Sequence, residues 1–246
     1  MNKIFQIGFN RCGTSSLYHL FHRGCSQRTN SIHWDKGNIA RRIEDNYNNN
    51  KLLLSEIEQY GAYFDVECMF PRENKHPIYP FITYYKILDQ QYPNSKFILN
   101  TRKMENWLKS RSNFIFKYNA RNVVSYMDTC CKAYKMTPLE VTNKWSNDWI
   151  SHHLSVVNYF SDRPDDLLIY DMEADNKAAE FNKLKEFFGE LTFFLNSLPI
   201  ENEQESALRR VSSIMNSKWF EQVYNRTEAI LKNKNQKVML NSTVKV

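Results

Sequence analysis

Apolar residues in this chain fall into short runs separated by amphipathic stretches, a pattern that predicts strands followed by helices. Lys3-Ile4-Phe5-Gln6-Ile7-Gly8 reads as a strand over 3–8. A turn from Gly8 to Gly13 leads into a helix from Thr14 to Arg23, with Leu17, Leu20 and Phe21 on one face and Gly24 as its stop. Ser31 to Trp34 reads as an extended piece, residues 36–48 as a helix, and the Asn48-Asn49-Asn50 run as a break. A second short helix is expected over 52–59, ended by Gly61. Ala62-Tyr63-Phe64 follows as a strand, with Asp65 and Glu67 at its exit.

Pro71, Pro77 and Pro80 keep the next segment irregular, and a helix starting near Pro80 carries Phe81, Tyr84, Tyr85 and Leu88 inward. Pro93-Asn94 turns the chain. Lys96 to Asn100 is the clearest central strand, followed by Arg102 and a helix expected from Met104 to Phe116. Residues 121–135 read as helical. Thr137-Pro138-Leu139-Glu140 carries a Thr cap, Pro at the first helical position and Glu at the third, so a helix is expected from there to Phe160. Leu167 to Tyr170 is a continuous apolar run of the kind buried in a parallel sheet, and residues 176–188 form a helix ended by Gly189. Beyond that lie an amphipathic stretch near 205–231 and a polar tail over 231–246. Strands alternating with helices predict an α/β fold in three layers, a mostly parallel sheet flanked by helices, as a single domain over 1–230.

Composition narrows the class. In 246 residues, 42% hydrophobic and 14% aromatic content suits a packed globular chain. No apolar run approaches the ~20 residues of a membrane helix. Met1 and Asn2 lead directly into the first strand, so no signal peptide and a cytoplasmic location are expected. Five cysteines without a CxxC pair suggest reduced thiols, with neither a disulfide framework nor a zinc site. The formal net charge is +6, part of it in the tail at Lys232, Lys234, Lys237 and Lys245. The aromatics fall at core spacings and no nucleic-acid-binding signature appears, so the excess charge points away from nucleic acid.

Gly8-Phe9-Asn10-Arg11-Cys12-Gly13-Thr14-Ser15 lies between a strand and a helix, with four residues between its glycines. That is the spacing of a phosphate-binding loop, in which backbone N–H groups and a helix N-terminus converge on an anion and a glycine lets the main chain come close. Nucleoside triphosphate sites carry Lys after the second glycine, where this chain has Thr14, and the basic residue comes earlier, at Arg11. The loop is therefore expected to hold a phosphate-like group without an obligatory metal. A phosphotransferase using the same loop remains the alternative.

A second feature begins at Arg102, which leaves the central strand, with Ser110 eight residues later in the next helix. A guanidinium fork and a hydroxyl together suit phosphate oxygens, and both would lie at the C-terminal edge of the sheet. Together the two features resemble the PAPS-dependent sulfotransferase family, where PAPS is 3′-phosphoadenosine 5′-phosphosulfate. Arg11-Cys12-Gly13-Thr14 matches its basic-x-Gly-Thr loop, and Arg102…Ser110 its 3′-phosphate pair. Tyr92 to Leu99 and Leu167 to Gly189 are similar to the family's lead-in and late strand–helix, so the resemblance covers roughly 3–190. His33-Trp34 and Phe64-Asp65 look closest to the bacterial-type branch.

The resemblance implies a sulfotransferase-like, P-loop-containing fold. It implies that the amides of Cys12, Gly13, Thr14 and Ser15 hold the 5′-phosphate and leaving oxygen, with Arg11 stabilising charge on that oxygen. PAPS would be the co-substrate, no metal would be needed, and the acceptor would be a hydroxyl or amine, with carbohydrate or glycolipid favoured. A non-catalytic nucleotide binder of this fold is a further alternative. The base is sought among Asp65, Glu67 and His33, with Asp65 first and His33 second. Asp65 and Glu67 share strand parity and would face one way if the strand continues. Lys109, Arg111, Lys117 and Arg121 form a basic run that would meet an anionic polymer or complete the 3′-phosphate site. Trp145 and Trp149 sit at core spacing, and His152-His153 reads as solvated or packed, not as a metal site.

Overall fold

The computed structural model describes residues 2–24, 30–69, 76–117 and 123–189. The amphipathic stretch and tail expected beyond 205 lie outside them. In chain order the elements are β1 (Ile4–Gln6), α1 (Thr14–Arg23), β2 (Ser31–His33), α2 (Asn38–Asn48), β3 (Ala62–Phe64), α3 (Pro80–Gln91) and β4 (Lys96–Thr101). There follow α4 (Met104–Ser112), β5 (Ile115–Lys117), β6 (Val123–Ser125), α5 (Tyr126–Tyr134), α6 (Pro138–Tyr159), β7 (Leu167–Asp171) and α7 (Lys177–Phe187).

Five strands form one sheet in the order β2-β3-β1-β4-β7, and every pairing in it is parallel. This is the three-layer α/β fold that the alternation of elements predicts. The strand period of two divides the side chains between the layers. Phe5, Tyr63, Phe97 and Leu99 pack toward residues of α2, α3 and α6 such as Ile43, Leu88 and Val156. Ile4, Phe64, Ile98 and Tyr170 pack with Leu17 and Phe21 of α1 and Leu184 of α7. β7 is a sheet edge among the described residues. Its Ile169 is 44% exposed, so the run read as fully buried has one open position.

Connections from β1 run toward β2 and β3, whereas those from β4 run to β7 on the other side. The crevice above β1 and β4 is thus the switch point where open α/β sheets bind ligands. A third apolar cluster roofs this edge, with Phe9, Cys12, Trp107, Tyr126, Val141 and Trp145 among its members.

Three expected elements differ. Residues 52–59 form turns, not a helix. Asn50 and Glu56 take left-handed backbone, and the Asn46 amide donates to the carbonyls of Leu53 and Ser55 at 3.0 and 2.9 Å. Those acceptors are the ones a helix would need. The helix from Met104 ends at Ser112, and β5 pairs antiparallel with β6 in the segment read as helical. The helix expected over 121–135 accordingly begins at Tyr126, capped by Ser125, whose hydroxyl accepts from the Asp128 amide. Aromatic and β-branched residues at 114–116 and 123–124 favour the hairpin strands over helix ends. By contrast, the capping box at the start of α6 forms as expected. Thr137 Oγ1 accepts from the Glu140 amide at 3.3 Å, and Glu140 Oε2 accepts from the Thr137 amide at 2.8 Å.

Candidate active site

Buried polar residues at the ends of apolar strands build the floor of the switch-point crevice. Gln6 closes β1, and its amide donates to the Gly8 carbonyl and to Asn100 Oδ1, both at 2.5 Å. Gln6 Oε1 accepts from the Asp65 amide at 2.7 Å. Asn100 of β4 donates to the carbonyls of Cys12 at 2.9 Å and Phe9 at 3.3 Å. These two amides tie the 8–13 loop, β3 and β4 into one unit. Gly8 is demanded by contact, since a Cβ there would lie 2.2 Å from the Asn100 carbonyl oxygen. Gly13 is demanded by backbone. It caps α1 with φ 77°, while the space around it admits a Cβ. Arg11 is also left-handed, with φ 63°, and such alternating backbone is the kind that forms anion-binding nests.

The loop and the second expected clamp meet. Arg11 Nε donates to Ser110 Oγ at 3.2 Å, and its guanidinium lies 4.3 Å over the Phe114 ring. Arg102 Nη1 donates to the Arg11 carbonyl at 3.1 Å. Arg102, two residues before α4, and Ser110, in its second turn, both reach the loop. The other partner of Arg102 was not anticipated. Glu173, two residues beyond β7, takes Arg102 Nε at 2.9 Å and Nη2 on the same oxygen. Thr14 is buried, whereas Gly13 and Ser15 are half-buried at the start of α1.

The three candidate bases separate. Asp65 leaves β3 with φ 52°, so the strand does not continue and the shared parity with Glu67 is lost. His33 Nε2 stands 3.6 Å from Asp65 Oδ2 and 3.4 Å from Ser15 Oγ. Both approaches use one ring nitrogen, and a nucleophilic Ser–His–Asp relay needs the two opposite nitrogens. Burial pushes the Asp65 carboxyl up to about 6, against the pull of Arg11, Arg111 and a hydrogen bond with Thr14.

Glu67 lies deeper, 7% exposed. Its Oε1 accepts from Asn10 Nδ2 at 2.9 Å and its Oε2 from the Tyr126 hydroxyl at 3.1 Å. Burial pushes this carboxyl up to about 8, with Asp65 adding to the rise. With each oxygen already engaged by a protein donor, Glu67 is a structural group rather than an accessible base.

Arg111 is also corrected. It does not face an external anion but is 1% exposed, with its guanidinium near the rings of Trp145, Trp107, Tyr126, Tyr79 and Phe9. Its Nη2 donates to the Tyr126 hydroxyl at 2.8 Å, so Tyr126 bridges Arg111 and Glu67. Lys109 is exposed, while the Lys117 side chain and Arg121 lie outside the description. Trp145 is core, and Trp149 stacks on His153 at 3.7 Å. Both histidines are packed. His152 Nε2 donates to the Ile7 carbonyl at 2.7 Å, and burial lowers both rings to about 4. Among the described residues no three His, Cys, Asp or Glu side chains are grouped to hold a metal, and no helix is long and apolar enough to cross a membrane.

Sequence reading missed Gln6, Asn100, Glu173, Asn10 and Tyr126. The available signal was a polar residue closing an otherwise apolar strand, as in Ile4-Phe5-Gln6 and Ile98-Leu99-Asn100.

The pattern of the chain agrees with this geometry. A family model described as a sulfotransferase domain matches residues 3–190. The chain belongs to the sulfotransferase family. A solved sulfotransferase from Alicyclobacillus acidocaldarius is 14% identical, with a TM-score of 0.45, covering 94% of this chain and 96% of that one. No curated protein matches. In this sulfotransferase the 8–13 loop, Asp65, Arg102 and Ser110 adjoin at the switch-point end of the sheet.

Proposed function

We propose that this sulfotransferase uses PAPS as donor and transfers its sulfuryl group in line to a hydroxyl or amine, with adenosine 3′,5′-bisphosphate as the other product. The observation carrying this reading is the contact of Arg11 with Ser110, backed by Arg102 on the Arg11 carbonyl. Two segments about ninety residues apart, each suited to phosphate oxygens, thereby share one crevice. The residues fit the donor: a glycine loop with left-handed backbone at Arg11 and Gly13 opens a helix, and two guanidinium groups and a hydroxyl stand beside it.

When bound, the donor supplies an activated sulfuryl group on a phosphate leaving group. The amides of Cys12, Gly13, Thr14 and Ser15 would hold the 5′-phosphate. Arg11 would offset the negative charge that gathers on the bridging oxygen as the sulfur–oxygen bond breaks. Arg102 and Ser110 would bind the 3′-phosphate. Asp65 would accept the acceptor's proton as the new bond to sulfur forms, and His33 would orient that carboxylate. A carbohydrate or glycolipid is the favoured acceptor.

Calorimetry without magnesium tests the donor. Adenosine 3′,5′-bisphosphate should bind at micromolar or tighter affinity, well above ATP and adenosine 5′-monophosphate, and binding should collapse in Arg102→Ala. Equal binding of ATP, or a strict magnesium requirement, would return the loop to a phosphotransferase reading.

A further inference from the structure

Arg102 reaches the crevice from the end of β4, but another strand sets the orientation of its guanidinium. Thr101 and Asp171 are in register between β4 and β7, and the Met172 amide donates to the Thr101 carbonyl at 3.0 Å. The next residue, Glu173, is fixed in turn by its amide, which donates to Asp171 Oδ1 at 2.8 Å. Its carboxylate is then saturated. Oε1 takes Arg102 Nε and Nη2, while Oε2 takes the Lys103 amide at 3.0 Å and Asn106 Nδ2 at 2.9 Å. Both side chains are mostly buried, at 17% and 19% exposure.

We propose that Glu173 is a positioning residue for the nucleotide's 3′-phosphate, holding the Arg102 guanidinium so that its terminal nitrogens meet the phosphate; this rests on the donor reading above.

A count of donors supports the role. A guanidinium has five N–H groups. Glu173 takes one on Nε and one on Nη2, and the Arg11 carbonyl takes one on Nη1. One N–H remains on each terminal nitrogen, and both can donate to an oxyanion. Holding the fork in advance removes side-chain freedom that binding would otherwise cost. Desolvation opposes the Glu173 charge, yet the hydrogen bonds from Asn106, Arg102 and the Lys103 amide outweigh it, so the group stays anionic below the usual carboxylate range. An ion pair that only joined β7 to α4 would treat all nucleotides alike. A positioning residue acts on the 3′-phosphate alone.

The experiment measures affinities of the full-length chain for adenosine 3′,5′-bisphosphate and adenosine 5′-monophosphate, in wild type, Glu173→Ala, Arg102→Ala and the double variant. Glu173→Ala should lose about tenfold or more in bisphosphate affinity, the scale of a hydrogen bond to a charged group, and keep its monophosphate affinity. The double variant should bind the bisphosphate no more weakly than Arg102→Ala. Unchanged or tighter bisphosphate binding by Glu173→Ala overturns the proposal, because the carboxylate would then be neutral or repulsive to the ligand. If Glu173→Ala fails to fold by thermal melting, Glu173→Met keeps the length of the side chain but removes both acceptor oxygens. The bisphosphate-to-monophosphate ratio must still fall, and an unchanged ratio again overturns the role. A wild-type protein without preference for the 3′-phosphate fails the donor reading itself, and that result is visible before any variant is compared.

Discussion

Arg11 donates its Nε to the hydroxyl of Ser110 at 3.2 Å across 99 residues of chain. The loop arginine and the helix hydroxyl thus form one hydrogen-bonded unit, reinforced by Arg102 on the Arg11 carbonyl. Loss of each member should have a different signature. Arg11→Ala should lower the rate of sulfuryl transfer from labelled PAPS by about 10²–10³-fold, as for other donors aimed at developing charge. Ser110→Ala should weaken nucleotide binding by about tenfold and spare turnover at saturation. Steady-state kinetics separates the two. Equal losses in both parameters for both variants would contradict the division of labour.

Asp65 gives a pH signature. Its carboxyl is raised by burial to about 6, and only the ionised form can take a proton from the acceptor. Activity should therefore climb as pH rises through about 6 and level off above it. Asp65→Asn should lose about 10²–10⁴-fold in rate and the climb with it. A pH–rate profile of the variant that still rises through the same region would assign the base elsewhere, with His33 next.

Glu67 gives a stability signature instead. Its folded carboxyl holds a proton up to about 8, whereas the unfolded one releases it near 4.5. Between those values the folded state binds more protons, so its stability falls as pH rises. Asp65 adds a slope of the same sign, from 3.8 to about 6, while His152 and His153, lowered from 6.5 to about 4, add the opposite slope up to about 6.5, which leaves the interval from about 7 to 8 to Glu67. Urea unfolding across pH 7 to 8 should show a decline in wild type that flattens in Glu67→Gln. Parallel curves would show that Glu67 does not titrate there.

Arg111 is the buried counter-charge of this group, acting through Tyr126. Above about pH 8, where Glu67 is ionised, Arg111→Ala leaves a carboxylate without its compensating cation and a void among five aromatic rings. Measured there, it should cost about 3–5 kcal/mol in unfolding free energy. Combining it with Glu67→Gln should recover part of that loss, because the uncompensated charge goes with it. A loss under 1 kcal/mol in denaturant titration would mean that the cage holds without its cation.

The two loop glycines should differ. Gly8→Ala places a methyl group 2.2 Å from the Asn100 carbonyl oxygen, and overpacking of this kind costs about 3 kcal/mol or more. Gly13→Ala meets open space but keeps φ 77°, at a cost of about 1–2 kcal/mol. Chemical denaturation that ranks Gly13→Ala as the more damaging would reverse this reading of the loop.

The sequence by itself determined the layering of this protein. Short continuous apolar strands and period-3.6 helices leave little choice about which residues are buried, and Leu17, Leu20 and Phe21 or Trp145 and Val156 lie where their spacing puts them. The loop was legible for the same local reason, as its spacing between a strand and a helix is a property of consecutive residues. Where local signals competed with distant partners, the spacing misled. Residues 52–59 lost a helix to the Asn46 side chain, and the end of the expected helix at 113–116 lost to pairing with 123–125. Charge was the least readable feature. Arg111 and Lys109 look alike along the chain, yet one is caged by rings from five segments and the other is exposed. Glu173 met Arg102 only because β4 and β7 are neighbours in the sheet. The free energy of a charge depends on the solvent and partners around it, and those are assembled from segments that only the tertiary fold brings together.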